Sequence, residues 1–148
     1  MKTGVSNEVS SGIMVYRVND QGEREYLFLV RREGFLDFPK GHIEEGETEI
    51  SAAKRETLEE TGLNVDPIPG FRHEMDYWFS HRDQKVRKRV IMFVGKADGQ
   101  QSPTISHEHM GFVWMKYEDA LRSLSYENQK NMLTEVERFL SGQQDGGK

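Results

Sequence analysis

Apolar and polar segments alternate at the start of the chain and predict two strands followed by a loop. Gly12–Tyr16 and Tyr26–Arg32 are largely apolar, and the turn formers Asn19 and Gly22 lie between them. This pattern is typical of a β-hairpin. The next segment, Glu33–Glu47, contains three glycines and a proline, which favours an ordered loop.

A helical pattern follows and extends from Glu49 to Thr61. Thr48 is suited to cap its first turn, and Gly62 lies where a helix-terminating glycine is expected. Four residues recur at helical spacing, namely Ile50, Ala53, Thr57 and Leu58. Pro67 and Pro69 break the chain soon afterwards.

The second half of the chain predicts more strands and two helices. The expected ranges are Phe71–Ser80, Arg87–Ala97 and Gly111–Met115 for the strands, and Tyr117–Leu124 and Glu127–Leu140 for the helices. Strands on both sides of a central helix favour an α/β fold, with a mixed β-sheet sandwiched between helices (α/β/α). We expect one domain over residues 1–148, with its core at about residues 10–140 and a disordered tail at 141–148.

Composition and charge narrow the classes of function. The 148 residues carry a net charge of -5, which argues against general attraction to nucleic acid or to an anionic membrane. The only nucleic-acid partner that we still consider is therefore the 5′ end of an RNA. Because the chain contains no cysteine, disulfides and thiolate metal sites are excluded. No apolar segment suits a membrane span or a signal peptide, and we expect a soluble, cytoplasmic protein.

Three carboxylates, Glu56, Glu59 and Glu60, are crowded at the end of the predicted helix. Their spacing lets them converge on one side, where each like-charged pair costs a few tenths of a kcal/mol. The negative end of the helix dipole adds about 0.3–1 kcal/mol per charge. Hard divalent cations such as Mg²⁺ and Mn²⁺ remove this conflict. The alternative interpretation is a solvated acidic face with Lys54 and Arg55 as partners.

A longer pattern of fixed spacing, G-x5-E-x7-R-E-x2-E-E-x-G-[LIV], surrounds these carboxylates. It is filled by Gly41, Glu47, Arg55, Glu56, Glu59, Glu60, Gly62 and Leu63. The pattern resembles the Nudix box of the Nudix hydrolases, which cleave pyrophosphate bonds in derivatives of nucleoside diphosphates. One position departs from it, because Thr57 stands where an aliphatic residue is usual. We expect its hydroxyl to bond a carbonyl one turn back in the helix.

The resemblance implies a role for each matched residue. The implied ligands of one to three Mg²⁺ or Mn²⁺ ions are Glu56, Glu59, Glu60 and the carbonyl near Gly41. Such ions would neutralise a diphosphate and activate a water molecule. Glu47 and Arg55 would form an ion pair that holds the loop against the helix. Arg55, Glu59 and Glu60 are therefore expected among the catalytic residues.

Shorter motifs resemble the diadenosine tetraphosphate hydrolases of the animal and archaeal type. These motifs are FPKGH, RHEMDYWF and SHEHMGFVW. The resemblance as a whole extends from about residue 10 to residue 140. The resemblance implies that Glu108 is a further metal ligand or the general base. It also implies that phosphate is contacted by Lys40, His42, His107 and His109. The alternative for Glu108 is a surface loop residue, and for His42 it is a role in shaping the loop. For His107 and His109 the alternative is a half-exposed loop histidine.

Two aromatic residues, Tyr77 and Phe112, match positions that sandwich an adenine in these enzymes. Stacking requires only a flat ring face and contributes about 1–3 kcal/mol per base. Phe112 stands where a tyrosine is expected, so it keeps the ring face and loses the hydroxyl. The alternative is that both rings pack in the core.

A basic segment lies in or beside one predicted strand. Its residues Lys85, Arg87 and Arg89 share one strand face. An acidic protein with an acidic site needs cations to bind a polyphosphate, and arginine suits bidentate contacts with phosphate. The alternative is that these charges protect an exposed sheet edge.

These features favour a metal-dependent pyrophosphohydrolase that splits diadenosine tetraphosphate asymmetrically into ATP and AMP. Its partner would be a small dinucleoside polyphosphate, and the protein would be a monomer or a homodimer. Other substrates that remain open are RNA 5′-pyrophosphates, diphosphoinositol polyphosphates and nucleoside triphosphates. A Nudix-fold sensor that binds nucleotide without cleaving it is the alternative from a different class.

Overall fold

A computed structural model describes residues 5–98 and 101–146 of the chain. The strands are β1 (Val5–Val18), β2 (Arg24–Val30), β3 (Leu36–Asp37), β4 (Lys40–His42), β5 (His73–His81), β6 (Gln84–Lys96) and β7 (Gly111–Lys116). The helices are α1 (Glu49–Thr61), α2 (Tyr117–Ser123) and α3 (Glu127–Gly146). The predicted hairpin, central helix and two final helices are all present.

The strands join one mixed sheet with β1 near its centre. The main strand order is β3-β2-β1-β6-β5, while β4 pairs with β1 and β7 pairs with β2. β1 and β6 run parallel from Val5 opposite Lys85 to Tyr16 opposite Lys96, and the other pairs are antiparallel. β1 therefore carries β6 along one edge and shares its other edge between β4 and β2.

The two faces of the sheet carry separate apolar cores. Ile13 and Ile91 pack with Ala53 of α1 on one face. Met14 and Met92, each one position further along its strand, pack on the opposite face with residues of α2 and α3. Successive strand residues point to opposite faces, so short continuous apolar runs fill both cores. The predicted α/β/α sandwich is confirmed.

Helix α1 has the bounds and caps that the sequence predicts. The Thr48 side chain accepts a hydrogen bond from the Ser51 N–H at 3.0 Å, and Gly62 ends the helix with a left-handed φ of 74°. Ile50 and Leu58 are 47% and 49% exposed, although they lie at helical spacing. The buried residues are Ala52, Ala53, Thr57 and Thr61, which are small enough for the helix to lie close to the sheet.

Two other regions differ from the sequence-based expectations. The predicted loop at Glu33–Glu47 contains the short strands β3 and β4. Helix α3 continues past Leu140 to Gly146, where a disordered tail was expected; residues 147–148 lie outside the described residues. Arg24 Nη2 donates to Ser141 Oγ at 3.2 Å, which ties the start of this extension to β2. No helix in the described residues has the length and apolar composition that a membrane crossing requires.

Thr57 and Thr61 are both buried in α1, one turn apart, but their hydroxyls differ in hydrogen bonding. Thr61 Oγ1 donates to the Thr57 carbonyl at 2.6 Å and accepts from the Leu63 N–H at 3.1 Å. Thr57 Oγ1 has no hydrogen-bond partner among the described residues, so the expected bond to a carbonyl one turn back does not form. An unpaired buried hydroxyl costs about 1–3 kcal/mol.

Replacing Thr57 with valine is expected to stabilise the protein. Thr57→Val preserves the side-chain volume and removes the unpaired hydroxyl, so the free energy of unfolding should rise by about 1 kcal/mol. The matched control, Thr61→Val, removes two hydrogen bonds and should lower it by about 1–3 kcal/mol. Urea unfolding measures both changes. A less stable Thr57→Val variant would show that this hydroxyl is paired in solution.

Candidate active site

Strand β4 lies directly against the last turns of α1. A Cβ added at Gly41 would lie 2.0 Å from the Glu56 Cδ, so only glycine leaves room for this carboxylate. Gly41 is opposite Ser11 in the pairing of β4 with β1, which fixes the position of the strand. The structure thus brings together Gly41 and Glu56, both predicted as metal ligands.

Glu60 lies beside Glu56 in a half-buried position. Its Oε1 accepts a hydrogen bond from the Lys40 backbone N–H at 3.3 Å. Burial, and then the charge of Glu56, raise the pKa of Glu60 to about 8. Burial is also the main cause of the raised pKa of Glu56, to which the charges of Glu59 and Glu108 contribute. Raised pKa values of this kind are the response of carboxylates held close together away from water.

Arg55 connects the loop before α1 to the carboxylates. Its Nε and Nη2 donate to the Glu47 carboxylate at 2.6 and 3.0 Å, and Nη2 also donates to the His42 carbonyl at 3.0 Å. Its Nη1 donates to Glu56 and Glu59 at 3.0 and 3.2 Å. The ion pair that the resemblance implies is therefore present, and it holds the loop against the helix.

The donor set suits a hard divalent cation. Glu56, Glu59 and Glu60 offer carboxylate oxygens and Gly41 offers a carbonyl, the oxygen ligands that Mg²⁺ and Mn²⁺ prefer. Arg55 bonds two of these carboxylates, Glu56 and Glu59. Within residues 5–98 and 101–146, no three Asp, Glu or His side chains lie close enough together to bind an ion in their present positions. A cation between Glu56 and Glu60 would offset both the burial and the repulsion that raise the pKa values of these two groups.

A cleft of about 330 Å³ opens on the opposite face of the sheet, beside the start of α3. Its lining includes the rings and charged groups of Arg31, Asp37, Lys40, Tyr77, Lys88 and Tyr126. Aromatic rings can stack on a base, and cations can bind its phosphates. The lining is therefore of the kind that a nucleotide requires.

The cations of the cleft surround one carboxylate. Lys40 Nζ lies 3.3 Å from Asp37 Oδ2, and Arg31 Nη1 lies 3.7 Å from the same oxygen. Lys88 stands opposite Tyr77 in the pairing of β5 with β6, and burial lowers the pKa of Lys88. Lys40 and Tyr77 were predicted from the sequence, whereas Arg31, Asp37 and Lys88 were missed.

The basic residues predicted from β6 lie on the other face of the sheet, towards α1. They are Lys85, Arg87 and Arg89, which alternate with the buried Val86 and Val90 of the cleft face. Arg87 pairs with Asp76 at 2.8 Å and Arg89 with Glu74 at 2.6 Å, so both charges are already neutralised. Lys88 is the β6 residue that lines the cleft, and its alternation with the apolar Val86 and Val90 was the signal in the sequence.

The structure does not bring Tyr77 and Phe112 together. Tyr77 packs against the core beneath α3, whereas Phe112 shares its side of β7 with Trp114, which packs against the α1 core. Two rings on opposite faces of a sheet cannot sandwich one base. Tyr126, which precedes α3 and is 51% exposed, lines the cleft together with Tyr77 instead.

The loop before β7 brings Glu108 to the end of α1. The Ser106 N–H donates to the Glu60 carbonyl at 3.2 Å, which ties this loop to the last turn of the helix. Glu108 is exposed, and its charge contributes to the raised pKa of Glu56. Glu108 thus lies near the carboxylate cluster, as predicted, on an element separate from α1.

The three candidate histidines have different environments. His42 is exposed, with Nε2 at 3.6 Å from Glu8 Oε1. His107 is also exposed, and its carbonyl accepts a hydrogen bond from Arg32 Nη2 at 3.2 Å. Burial lowers the pKa of His109, and the nearby Asp37 opposes this effect. Of the two loop histidines predicted from the sequence, His109 is therefore the one that lies near the charged groups of the cleft.

Residues 9–136 match the model of the NUDIX domain. The chain belongs to the Nudix family. This Nudix protein is 30% identical over 139 residues to the mouse (Mus musculus) bis(5′-nucleosyl)-tetraphosphatase (asymmetrical), across 87% of this chain and 92% of the mouse protein. It is 29% identical over 135 residues to the Caenorhabditis elegans protein of the same name, across 90% of this chain and 96% of that protein.

Solved structures agree with this assignment. The C. elegans Ap4A hydrolase in a binary complex superposes with a TM-score of 0.80 and 26% identity, over 91% of this chain and 98% of that one. The Escherichia coli dihydroneopterin triphosphate pyrophosphohydrolase superposes with a TM-score of 0.69 at 21% identity, over 88% and 96% of the two chains, and shows the shared fold alone. Nudix hydrolases generally use divalent metal ions, and α1 with its preceding loop is the Nudix box of this hydrolase.

Filling the space at Gly41 is expected to weaken cation binding. Gly41→Ala places a Cβ where the Glu56 carboxylate lies, so the affinity for Mn²⁺ should fall at least about tenfold, as measured by isothermal titration calorimetry. Gly142→Ala is the control, because nothing lies within 4 Å of a Cβ at that position. An unchanged Mn²⁺ affinity in folded Gly41→Ala would contradict an ion site beside Glu56.

The Glu47–Arg55 pair predicts a pH-dependent contribution to stability. Hydrogen bonds from Arg55 lower the pKa of Glu47 from 4.5 to about 2. Because the folded-state pKa is the lower one, the pair stabilises the protein fully above pH 4.5, and this contribution is lost as the pH falls towards about 2. Glu47→Gln should be less stable than the wild type at pH 7, with a difference that shrinks over this window in denaturant unfolding. A difference independent of pH would contradict the assignment.

Proposed function

We propose that this Nudix hydrolase cleaves diadenosine tetraphosphate asymmetrically into ATP and AMP, with Mg²⁺ or Mn²⁺ as its cofactor. Two relatives named for asymmetrical bis(5′-nucleosyl)-tetraphosphatase activity align with most of the chain. The geometry adds independent support, because a cleft with aromatic and cationic walls lies next to the carboxylates of the Nudix box.

The observation that carries the proposal is the position of Lys40. Its backbone N–H donates to Glu60 at 3.3 Å, while its side chain lines the cleft. One residue therefore touches both the carboxylate cluster and the nucleotide-sized cleft. A nucleoside bound in the cleft would have its phosphates at Lys40 and thus within reach of Glu60.

The cleft residues would bind and orient the substrate. Tyr77 and Tyr126 offer ring faces to an adenine, each at a stacking contribution of about 1–3 kcal/mol per base. Lys40, Lys88 and Arg31 would neutralise the phosphates, with Asp37 holding two of these cations in place before the substrate arrives. In this assignment Tyr126 takes the place of Phe112 in the substrate site. The cations of the cleft take the place of Lys85, Arg87 and Arg89.

The carboxylates would hold the divalent ions of the reaction. Glu56, Glu59 and Glu60, together with the Gly41 carbonyl, are the residues that would bind them, and bound Mg²⁺ supplies charge neutralisation and an activated water. The water oxygen adds to one phosphorus of an anhydride, and the bridging oxygen leaves with the other product, which divides four phosphates into ATP and AMP. Glu108, near Glu56, would act as a further ligand or as the base that accepts the water proton.

A substrate panel tests the proposal. The purified protein with Mg²⁺ is given diadenosine tri-, tetra- and pentaphosphate, dGTP, 5′-triphosphate RNA and a diphosphoinositol phosphate. We expect the tetraphosphate to be cleaved fastest and to yield ATP and AMP, and a parallel reaction in ¹⁸O-water to label one of the two products. That label identifies the phosphorus attacked.

Other results of the panel would overturn the proposal in defined ways. Tenfold faster cleavage of another substrate would retain the Nudix chemistry and exclude the diadenosine assignment. Nucleotide binding without turnover of any substrate would favour a non-catalytic sensor.

Glu60 allows a direct test of the carboxylate assignment. Glu60→Gln should lower kcat at least about 100-fold, and it should not lower Tm, because the neutral amide removes the repulsion from Glu56. Glu118→Gln, an exposed residue in α2, is the control and should keep full activity. Full activity in Glu60→Gln would contradict the role of the cluster.

A further inference from the structure

The turn between β2 and β3 brings an exposed aromatic ring to the cleft. Phe35 is 42% exposed and is one of the residues that line the cleft. Its ring contacts that of Tyr126, with the two centroids 6.1 Å apart and an angle of 40° between the ring planes. Aromatic pairs at such a separation and tilt attract each other beyond the area that they bury. The contact therefore joins the β2–β3 turn to the residue that precedes α3.

The rest of the fold constrains the ring of Tyr126 only weakly. This ring is 51% exposed, whereas Tyr77 is partly buried and packs against the core. The Tyr126 carbonyl accepts from the N–H groups of Gln129 and Lys130 at 3.1 and 3.2 Å, but these bonds leave the side-chain torsions free. An exposed ring loses conformational entropy when a base stacks on it. A neighbouring ring that already holds it in one orientation reduces this cost.

The turn that carries Phe35 is itself well defined. The Arg31 N–H donates to the Phe35 carbonyl at 2.9 Å, and the Gly34 N–H donates to the Arg31 carbonyl at 2.8 Å. Gly34 has a φ of 93°, in the left-handed region that favours glycine. In the same turn, Arg31 Nη1 lies 3.7 Å from Asp37 Oδ2. Phe35 is thus fixed by its backbone to a cation of the cleft.

We propose that Phe35 is a positioning residue, whose ring holds that of Tyr126 in the orientation that stacks on a base opposite Tyr77. This inference rests on the proposed function, since it places the base of the substrate between Tyr77 and Tyr126. Phe35 acts through Tyr126, so its contribution to binding exists only while Tyr126 keeps its ring. The alternative is that Phe35 packs on the surface without effect on the site, as single exposed apolar side chains often do.

A double-mutant cycle with diadenosine tetraphosphate as substrate tests the proposal. Phe35→Leu keeps an apolar side chain and removes the ring. We expect it to raise KM about fivefold and to change kcat less than about twofold, because binding of the base is weakened equally in the ground state and the transition state. In a Tyr126→Leu background, the same substitution should change KM less than about 1.5-fold.

Two further variants separate positioning from a general effect on the fold. Phe35→Tyr keeps the ring and should retain the KM of the wild type. Val18→Ala alters a side chain of similar exposure, 43%, at the end of β1 and outside the lining of the cleft. This control should change neither KM nor kcat. A rise in KM for Phe35→Tyr equal to that for Phe35→Leu would contradict a role of the ring.

The remaining outcomes of the cycle also decide the proposal. Equal rises in KM with and without Tyr126 would make Phe35 a direct contact of the substrate and overturn the positioning role, as would an unchanged KM in both backgrounds. If the wild type does not cleave diadenosine tetraphosphate, the proposed function fails separately, and the cycle is measured as calorimetric affinity for AMP. A fivefold loss that Tyr126→Leu abolishes supports the inference. Additive losses, or no binding of AMP to the wild type, overturn it.

Discussion

The repulsion among carboxylates at the negative end of α1 is the constraint around which this site is built. Glu56 and Glu60 are partly buried, and both have raised pKa values. Arg55 reduces the repulsion between these carboxylates, because its Nη1 donates to Glu56 and Glu59. Its Nε donates to Glu47, which holds the guanidinium in place. A fold that needed only a soluble helix would place these charges in the first turn, where the helix dipole favours them. A divalent cation bound at the last turn, as we propose, would offset the repulsion there.

One short strand links this cluster to the cleft. In β4, Gly41 faces α1, where it leaves room for Glu56, while the neighbouring Lys40 extends its side chain into the cleft. The pairing of β4 with β1 at the centre of the sheet holds both residues in register. The alternation of a β-strand therefore sets the rings that we propose to bind a base and the carboxylates that we propose to bind a cation on two sides of a single backbone segment.

Local patterns were enough to predict α1 and its caps, because each depends on residues close together in the chain. The ion pair between Glu47 and Arg55 was implied by the resemblance to the Nudix box. The layers of the sandwich also followed from the order of strands and helices. The face of the sheet on which a strand residue lies was harder to predict, because it depends on the strand register and on which helix covers that face. Arg87 and Arg89 were expected to bind substrate for this reason, although they pair with Asp76 and Glu74.

Long-range packing decided the other residues of the cleft. Tyr126 and Gln129 come from the start of α3 and lie beside Tyr77 of β5, a contact that no local spacing in the sequence reports. Phe112 matched a short motif, but β7 turns that side towards the α1 core, as the packing of Trp114 shows. Within α1, Ile50 and Leu58 lie at helical spacing but are exposed, because small residues form the contact with the sheet.

We infer that one Nudix site joins a cation bound by α1 and β4 to a base held in the cleft. A crystal structure with Mn²⁺ and a non-hydrolysable diadenosine tetraphosphate analogue tests it most directly. We expect anomalous density for Mn²⁺ at ligand distance from Glu56, Glu60 and the Gly41 carbonyl, about 2.0–2.6 Å for hard cations of this kind. We also expect an adenine between Tyr77 and Tyr126. An ion bound away from these carboxylates, or an adenine stacked on Phe112, would contradict it.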